Sequence, residues 1–405
     1  MNNYWRRVAS VLTGSSVAQL IPILGSLIIA RQFAPSQFGE FSVWLGAVLV
    51  LAVLLPCRFE MSLAIESDGE PRRLAVISTL ATACLVAFVV SGFLVLALAM
   101  APELLDRYSV VLILSWLPAG LAVAATNTWL SWAAASGRYG TLSILRISQA
   151  VAITSFQILV GAFFPSAGSL AVTYMLGALA GVITAAYLLP LGGAGGINWY
   201  VTIKDFWWRQ RQFPAFSLPA GLVNTTAAQL PVLIVATRFG ADIAGLLAMT
   251  IKVLGAPSGL LGRSVLDVFK RHASTAFRER GECRAEYIGT LKVLAWGAVF
   301  FCLTFALTGE FLFATAFGEA WRGAGTIAIW LLPLFAFRFI ASPLSYVIFI
   351  TGKQHFDLMW QLGFLATTVF SLVFCSDYEA ALLVYGCSGG FLYVIYIKIS
   401  YKFSG

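Results

Sequence analysis

Hydrophobic residues along the chain form long runs, and polar or charged residues fall mainly in short segments between them. A run of about 20 apolar residues is long enough for an α-helix to cross the hydrocarbon core of a bilayer. About twelve such runs can be recognised, with ends defined to within a few residues. They cover residues 8–30, 41–65, 74–100, 108–134, 141–164, 168–190, 213–237, 243–266, 288–315, 324–351, 356–374 and 378–399. The pattern predicts an all-α polytopic membrane protein, and an even number of spans places both termini on one side.

Composition supports this interpretation, and the distribution of charge predicts which side of the membrane each loop faces. Of the 405 residues 60% are hydrophobic and 11% are charged, whereas soluble domains average about 25% charged residues. Most Lys and Arg residues of the connections lie on the N-terminal side, and the opposite loops hold only Arg31, Arg107, Arg238 and Arg322. The positive-inside rule therefore predicts cytoplasmic termini. It also explains the net charge of +8 without a nucleic-acid partner.

The sequence contains an internal repeat. Residues 28–33 (IIARQF), followed by Gly39, align without gaps to residues 234–239 (IVATRF), followed by Gly245. Each half then holds six spans, which indicates a parallel repeat of two six-helix bundles around a central cavity. The predicted division is 1–197 for the N-terminal bundle and 198–405 for the C-terminal bundle.

Catalytic chemistry is not indicated. His272 and His355 fall in predicted cytoplasmic loops, and no phosphate-binding loop motif is present. The six cysteines show no CxxC spacing that would suggest a metal site or a disulfide framework. We therefore expect a protein that is not an enzyme and has no cofactor.

The second apolar run contains two charges, Arg58 and Glu60. Ionisable residues inside a span are functional candidates because their burial in lipid is costly. Residues two apart on an α-helix point about 200° apart, so we expect Arg58 to face a water-filled interior and Glu60 to find a partner on a neighbouring helix. Alternatively, Arg58 reaches the cytoplasmic interface along its own stem. Glu60 is either a coupling residue for protons or cations or part of a structural ion pair.

Three further cations lie inside spans, at Lys252, Arg263 and Arg338. A cavity with several fixed cations suits an anionic cargo, and guanidinium groups pair well with diphosphate. Polar residues on predicted spans could form hydrogen bonds with a sugar, or they could form hydrogen bonds between helices. The candidates for that role are Gln19, Asn127 and Asn224.

The segment 58–65 (RFEMSLAI) resembles the Arg-Tyr-Glu…Ala-Ile signature of polysaccharide-biosynthesis flippases. Segment 30–43, which ends a span, is similar to the first loop of the same family, and segment 213–269 fits the family in the same way. These are the Wzx-type oligosaccharide flippases of the polysaccharide transporter family, within the multidrug/oligosaccharidyl-lipid/polysaccharide (MOP) exporter superfamily. Phe59 replaces the usual tyrosine, and Glu66-Ser67 stands where Leu-Pro is common.

The resemblance implies a V-shaped pair of bundles in a bacterial inner membrane. It implies movement of an undecaprenyl-diphosphate-linked oligosaccharide to the periplasmic leaflet, for O-antigen, lipopolysaccharide, capsule or exopolysaccharide assembly. A polysaccharide polymerase and a chain-length regulator are further partners of such a pathway. Arg58 carries over as the signature arginine, whereas Lys252, Arg263 and Arg338 rest on their depth in the spans.

Two other functions remain open at this stage. The first is a small-molecule or multidrug exporter of the same superfamily, which would need acidic residues inside spans, where Glu60 is the best candidate. The second is a membrane glycan polymerase or glycosyltransferase. That activity would need a sizeable loop with a carboxylate or His-Arg site, and none is found.

Overall fold

A computed structural model of the protein describes residues 2–101, 109–192 and 199–405, and their regular structure is entirely helical. The described residues form fourteen α-helices. In chain order they are α1 (Asn2–Gln32), α2 (Pro35–Leu54), α3 (Glu70–Met100), α4 (Val110–Ala135), α5 (Tyr139–Gly161), α6 (Ala167–Leu188), α7 (Trp199–Arg209), α8 (Leu218–Phe239), α9 (Ala241–Arg280), α10 (Arg284–Phe317), α11 (Arg322–Leu344), α12 (Tyr346–Ile350), α13 (Gln354–Phe374) and α14 (Tyr378–Lys402). Short 3-10 helices at Phe59–Ala64 and Glu319–Trp321 and a π-helical turn at Phe213–Ser217 complete the regular structure of the described residues.

Eleven helical segments of the described chain are long and apolar enough to cross a membrane. The apolar part of α1, Ser16–Gln32, is shorter than the length required of the others. The expectation of an all-α polytopic membrane protein is therefore confirmed.

The chain divides into two compact units. The first comprises Met1–Phe33 and Glu40–Leu230, and the second comprises Ala34–Gly39 and Pro231–Gly405. The linker helix α7 and most of α8 thus pack with the first unit. The division of the spans into bundles 1–197 and 198–405 stays a prediction.

Small residues allow the helices of the first unit to approach closely. An added Cβ at Gly120 of α4 would lie 2.9 Å from Leu51 Cβ of α2, and one at Gly177 of α6 would lie 2.6 Å from Ile153 Cα of α5. Lipid supplies no hydrophobic driving force between helices, so close van der Waals contact must hold them together.

The second unit is organised around α11, which carries Pro333 in its interior. An added Cβ at Gly390 of α14 would lie 2.9 Å from Pro333 C, and one at Gly386 would overlap the carbonyl oxygen of Trp330. The two glycines therefore let α14 lie directly against the α11 backbone. Pro333 leaves a gap in the α11 hydrogen-bond ladder, and membrane helices tolerate this where protein covers it.

Two predicted boundaries are wrong. The second span ends at Leu54 instead of near residue 65, because Pro56 cannot donate the backbone hydrogen bond that would continue α2. In addition, α9 runs to Arg280 through most of the predicted loop 267–287. Its polar end keeps a buried face with Ala273 and Ala276, so the helical period continues after the apolar run has ended.

The first turns of α2 and α9 cross in a reciprocal contact within the second unit. An added Cβ at Gly39 would overlap the carbonyl oxygen of Ala241, and one at Gly245 would overlap that of Pro35. The repeat alignment pairs Gly39 with Gly245 and Pro35 with Ala241. The same contact is therefore made twice, once by each repeat.

We predict that Gly39→Ala and Gly245→Ala each destabilise the protein by about 1–3 kcal/mol, because the methyl group meets a backbone that cannot rotate away. Gly363→Ala is the matched control, since no atom lies within 4 Å of its added Cβ. Alanine should be neutral or slightly favourable in that helix. Thermal unfolding in detergent, followed by circular dichroism, would contradict the prediction if all three variants unfolded like the wild type.

Candidate functional site

The signature residues lie in the connection between α2 and α3, residues 55–69, which we call the Arg58 loop. Cys57 and Arg58 both have left-handed backbone conformations, with φ angles of 51° and 61°. A non-glycine residue at positive φ is uncommon and carries strain. Two in succession form part of a turn that precedes the 3-10 helix Phe59–Ala64. The shape of the Arg58 loop therefore depends on this uncommon backbone conformation.

This turn brings Arg58 and Glu60 together. Arg58 Nη1 donates to Glu60 Oε1 at 3.4 Å, a long hydrogen bond within an ion pair. The expectation that the two side chains point apart and that Glu60 pairs with another helix is wrong. It assumed α-helical geometry, whereas the chain leaves the helix before Arg58. For the same reason both residues lie beyond the span Pro35–Leu54 and not inside it.

Arg58 lies against a glycine of α8. A Cβ added at Gly221 would lie 2.9 Å from Arg58 Nε and 3.2 Å from its Cζ, so a larger residue would displace the guanidinium. The buried Nε has no hydrogen-bond partner. The bond to Glu60 is the one hydrogen bond of the Arg58 side chain among the described residues, which leaves most of its five donors free.

Glu60 is buried and only partly satisfied. Glu60 as a whole is 8% exposed, and its Oε2 has no hydrogen-bond partner. Burial raises the pKa of Glu60 above its ordinary value, while a backbone hydrogen bond and the charge of Arg58 act in the opposite direction. The neighbouring Cys57 thiol also has a raised pKa, through burial and the charge of Glu60. The Arg58–Glu60 pair can therefore gain or lose a proton or exchange a partner without breaking a well-formed bond.

The buried side chain of Arg72 holds the other end of the Arg58 loop. Its Nε donates to the carbonyl oxygen of Leu63 at 2.9 Å, and Nη2 donates to that of Glu66 at 2.6 Å. Its Nη1 donates to Ala135 O at 3.1 Å and pairs with Asp68. One guanidinium therefore fastens the loop to the end of α4.

The linker helix α7 packs on the same loop. Glu66 Oε1 accepts from Gln210 Nε2 at 2.8 Å, and Arg209 Nη1 lies 3.9 Å from Glu66 Oε2. The ring centroids of Phe59 and Phe206 are 5.1 Å apart. No local sequence pattern indicates the Glu66–Gln210 contact, which joins residues far apart in the chain. The position of α7 and the position of the Arg58 loop therefore depend on each other.

Two other predicted cations lie in the second unit. Lys252 is half-buried in α9, with Nζ 6.0 Å from the Phe38 ring centroid and no hydrogen bond or ion pair to a described residue. Arg338 is exposed on α11, 6.0 Å from the Phe335 ring centroid. Both therefore keep hydrogen-bonding capacity for a ligand.

The remaining predicted site residues are less informative. Asn127 and Asn224 are exposed and Gln19 is half-buried, all within the first unit. Asn224 lies three residues after Gly221, so it shares the face of α8 that meets Arg58. Arg263 lies on α9, and its side chain is outside the described part of the structure.

Sequence reasoning overlooked two acids within spans. Glu310 of α10 accepts from Thr326 Oγ1 at 2.9 Å, and Asp357 of α13 accepts from Gln361 Nε2 at 2.8 Å and also from the Tyr396 hydroxyl. Their hydrogen-bonding partners are within the second unit. Among the described residues, no three His, Cys, Asp or Glu side chains gather as a metal site would require.

Solved structures with the same fold are membrane transporters. The lipid II flippase MurJ, in an inward closed conformation, gives a TM-score of 0.74 at 11% identity, covering 97% of this chain and 87% of that one. A multidrug resistance MATE-family transporter of the MOP superfamily, in an inward-facing conformation, gives 0.67 at 10% identity and covers 95% and 93%. The Vibrio cholerae MATE transporter VcmN gives 0.53 at 13% identity and covers 98% and 95%. No protein-family profile and no curated protein matches the chain.

These likenesses define the fold. The chain is an all-α polytopic membrane protein that shares its fold with these solved membrane transporters. At such low identity the match extends to the backbone and not to the substrate.

We predict that Arg72→Ala lowers the free energy of unfolding by about 3 kcal/mol, because it leaves buried carbonyl oxygens without a donor. Arg73→Ala is the control, since its contact with Glu70 is long, at 3.8 Å, and should be worth less than about 1 kcal/mol. Unfolding of the detergent-solubilised variants would be followed by heat or denaturant. Equal losses in the two variants would show that Arg72 has no special role.

Proposed function

We propose that the protein is a flippase for undecaprenyl-diphosphate-linked oligosaccharide. It moves this lipid from the cytoplasmic to the periplasmic leaflet of a bacterial inner membrane by alternating access, and so supplies O-antigen, capsule or exopolysaccharide assembly. The observation that carries the proposal is the incompletely paired guanidinium of Arg58. The fold shared with a lipid II flippase supports the same reading.

Arg58 has the chemistry needed to bind a diphosphate. A guanidinium offers donors in a planar fork that matches the oxygens of phosphate. The contact with Gly221 and the strained backbone at Cys57 and Arg58 hold this fork in place. A preorganised donor loses less entropy on binding than a mobile surface arginine would.

Lys252 and Arg338 supply further positive charge. Neither forms an ion pair with a described residue, unlike Arg322, which is bonded to Glu319 at 2.6 Å. Arg238 is likewise occupied, because it donates to the carbonyl oxygens of Leu372 and Cys375. The unpaired cations are therefore the better candidates for an anionic cargo, together with Arg263 on sequence grounds.

Polar side chains on the spans would contact the glycan. Gln19, Asn127 and Asn224 are the candidates, and Asn224 lies on the same face of α8 as the Arg58 contact. A polysaccharide polymerase and a chain-length regulator are the expected protein partners in this pathway.

Export of a small cationic drug is the weaker alternative. Such an exporter needs an acid available inside a span, and Glu310 and Asp357 are already hydrogen-bonded. Lys252 and Arg338, in contrast, form no ion pair with a described residue.

We expect Arg58→Ala to reduce translocation of a labelled diphosphate-linked oligosaccharide in vesicles by about tenfold or more, since a hydrogen bond to a charged group is lost. Arg58→Lys should retain part of the activity, because it keeps the charge but not the fork. Arg278→Ala, at an exposed position near the end of α9, is the control for the loss of a surface arginine. Full activity in both Arg58 variants would remove Arg58 from the binding site.

Glu60 is the candidate coupling residue because it competes with phosphate for Arg58. Protonation removes its charge and releases the guanidinium, so transport should fall as pH rises through the raised pKa of Glu60. The folded state also binds this proton more tightly than the unfolded state, so stability should fall over the same pH range.

We therefore predict that Glu60→Gln makes both transport and stability less dependent on pH above the ordinary carboxylate range. Transport would be measured in vesicles and unfolding in detergent, each over a pH series. A variant with the pH profile of the wild type would show that Glu60 forms a structural ion pair without a coupling role.

A further inference from the structure

A groove of about 340 Å³ lies between the first turns of α3 and the linker helix α7, away from the Arg58 guanidinium. Its wall includes the polar residues Ser78, Thr202 and Arg209 and the apolar residues Leu74 and Phe206. A larger depression of about 810 Å³ shares Thr202 and Arg209 with it. Thr202 and Arg209 therefore line both spaces.

Ser78 contributes an unusual polar group to the groove wall. The residue is fully buried, and its hydroxyl has no hydrogen-bond partner. The next hydroxyl groups on α3 are satisfied within the helix, since Thr79 donates to Ala75 O at 2.8 Å and Thr82 donates to Ser78 O at 2.7 Å. A buried hydroxyl without a partner is unfavourable, so a ligand that accepts from Ser78 would gain affinity.

Arg209 can supply the charge for such a ligand. Its Nη1 is 3.9 Å from Glu66 Oε2, which is too long for a hydrogen bond, and its side chain is 59% exposed. Glu66 is already satisfied by Gln210 Nε2 at 2.8 Å. The acid on the groove wall, Glu70, is exposed and lies 3.8 Å from Arg73, which like the Arg209–Glu66 distance is too long for a hydrogen bond. Arg209 therefore keeps free donors beside the groove.

The surroundings of the groove are those of a membrane interface. The larger depression is lined by Lys204, Asp205, Trp207 and Trp208, and Arg211 lies over the Trp208 ring at 4.5 Å. Tryptophan and basic side chains are typical of the headgroup region.

The helix α7 is held against α3 in this position. Trp207 Nε1 donates to Thr82 Oγ1 at 2.7 Å, which fixes the indole on the α3 surface. The positive-inside rule places α7 at the cytoplasmic leaflet, where anionic lipids attract clustered basic residues.

We propose that the groove between α3 and α7 binds the phosphate headgroup of an anionic phospholipid. Arg209 pairs with the phosphate, Ser78 donates a hydrogen bond, and Trp207 and Trp208 flank the glycerol and the upper acyl chains. This lipid is a resident of the site and differs from the transported cargo. Because α7 also holds the Arg58 loop through Gln210, the bound lipid would stabilise that loop as well.

The site can be tested by lipid binding to the purified full-length protein. Phosphatidylglycerol would be titrated into the delipidated protein and counted by native mass spectrometry, with phosphatidylcholine as the neutral comparison. We expect selective binding of phosphatidylglycerol, weakened about tenfold in Arg209→Ala, which loses a charge-assisted hydrogen bond. Ser78→Ala should weaken it less, and Arg278→Ala should bind like the wild type.

Two outcomes would overturn the proposal. The first is phosphatidylglycerol binding that is unchanged in Arg209→Ala, and the second is its displacement by millimolar inorganic phosphate, which would indicate a site for a free anion. Arg209→Gln, with thermal unfolding measured alongside, separates loss of binding from loss of folding. Since no transport is measured, the result stands apart from the outcome of the Arg58 experiment.

Discussion

The geometry of the Arg58 loop depends on one buried cation, Arg72. Residues between a helix end and the next helix start leave carbonyl groups that must find donors when they are buried. Arg72 satisfies Leu63 and Glu66 and links them to Ala135. With that end of the loop fixed, the left-handed backbone at Arg58 can persist, because the surrounding structure leaves it little alternative.

The helical type of the spans could be predicted from the sequence, because spanning a bilayer requires long apolar runs whatever the packing. Of the twelve predicted runs, eleven correspond to described segments long and apolar enough to cross a membrane. The end of the second span could not be predicted in this way. Hydrophobicity continues to Ile65, whereas Pro56 and the turn at Cys57 end the helix. The predicted orientation of Arg58 relative to Glu60 was wrong for the same reason. It assumed an α-helix, whereas these residues form a turn and a 3-10 helix.

The sequence indicated the candidate cations, but it did not indicate the contacts that hold them in place. Charges in or beside apolar runs are visible in any sequence, and they indicated Arg58, Lys252 and Arg338. Glu66 and Gln210 meet only through the packing of α7, and no local pattern connects residues so far apart in the chain. The structure adds the distinction between cations that are bonded, such as Arg238, and those that keep free donors.

The crossing of α2 and α9 has a consequence for how the two repeats can change. Gly39 contacts the backbone of Ala241, and Gly245 contacts the backbone of Pro35. A larger side chain in either repeat forces the helices apart and so loosens both contacts at once. Duplicated segments usually free one copy to vary, but here each copy limits the other. A substitution at either glycine therefore affects both contacts. Each repeat can vary at this position only as far as the packing of the other repeat allows.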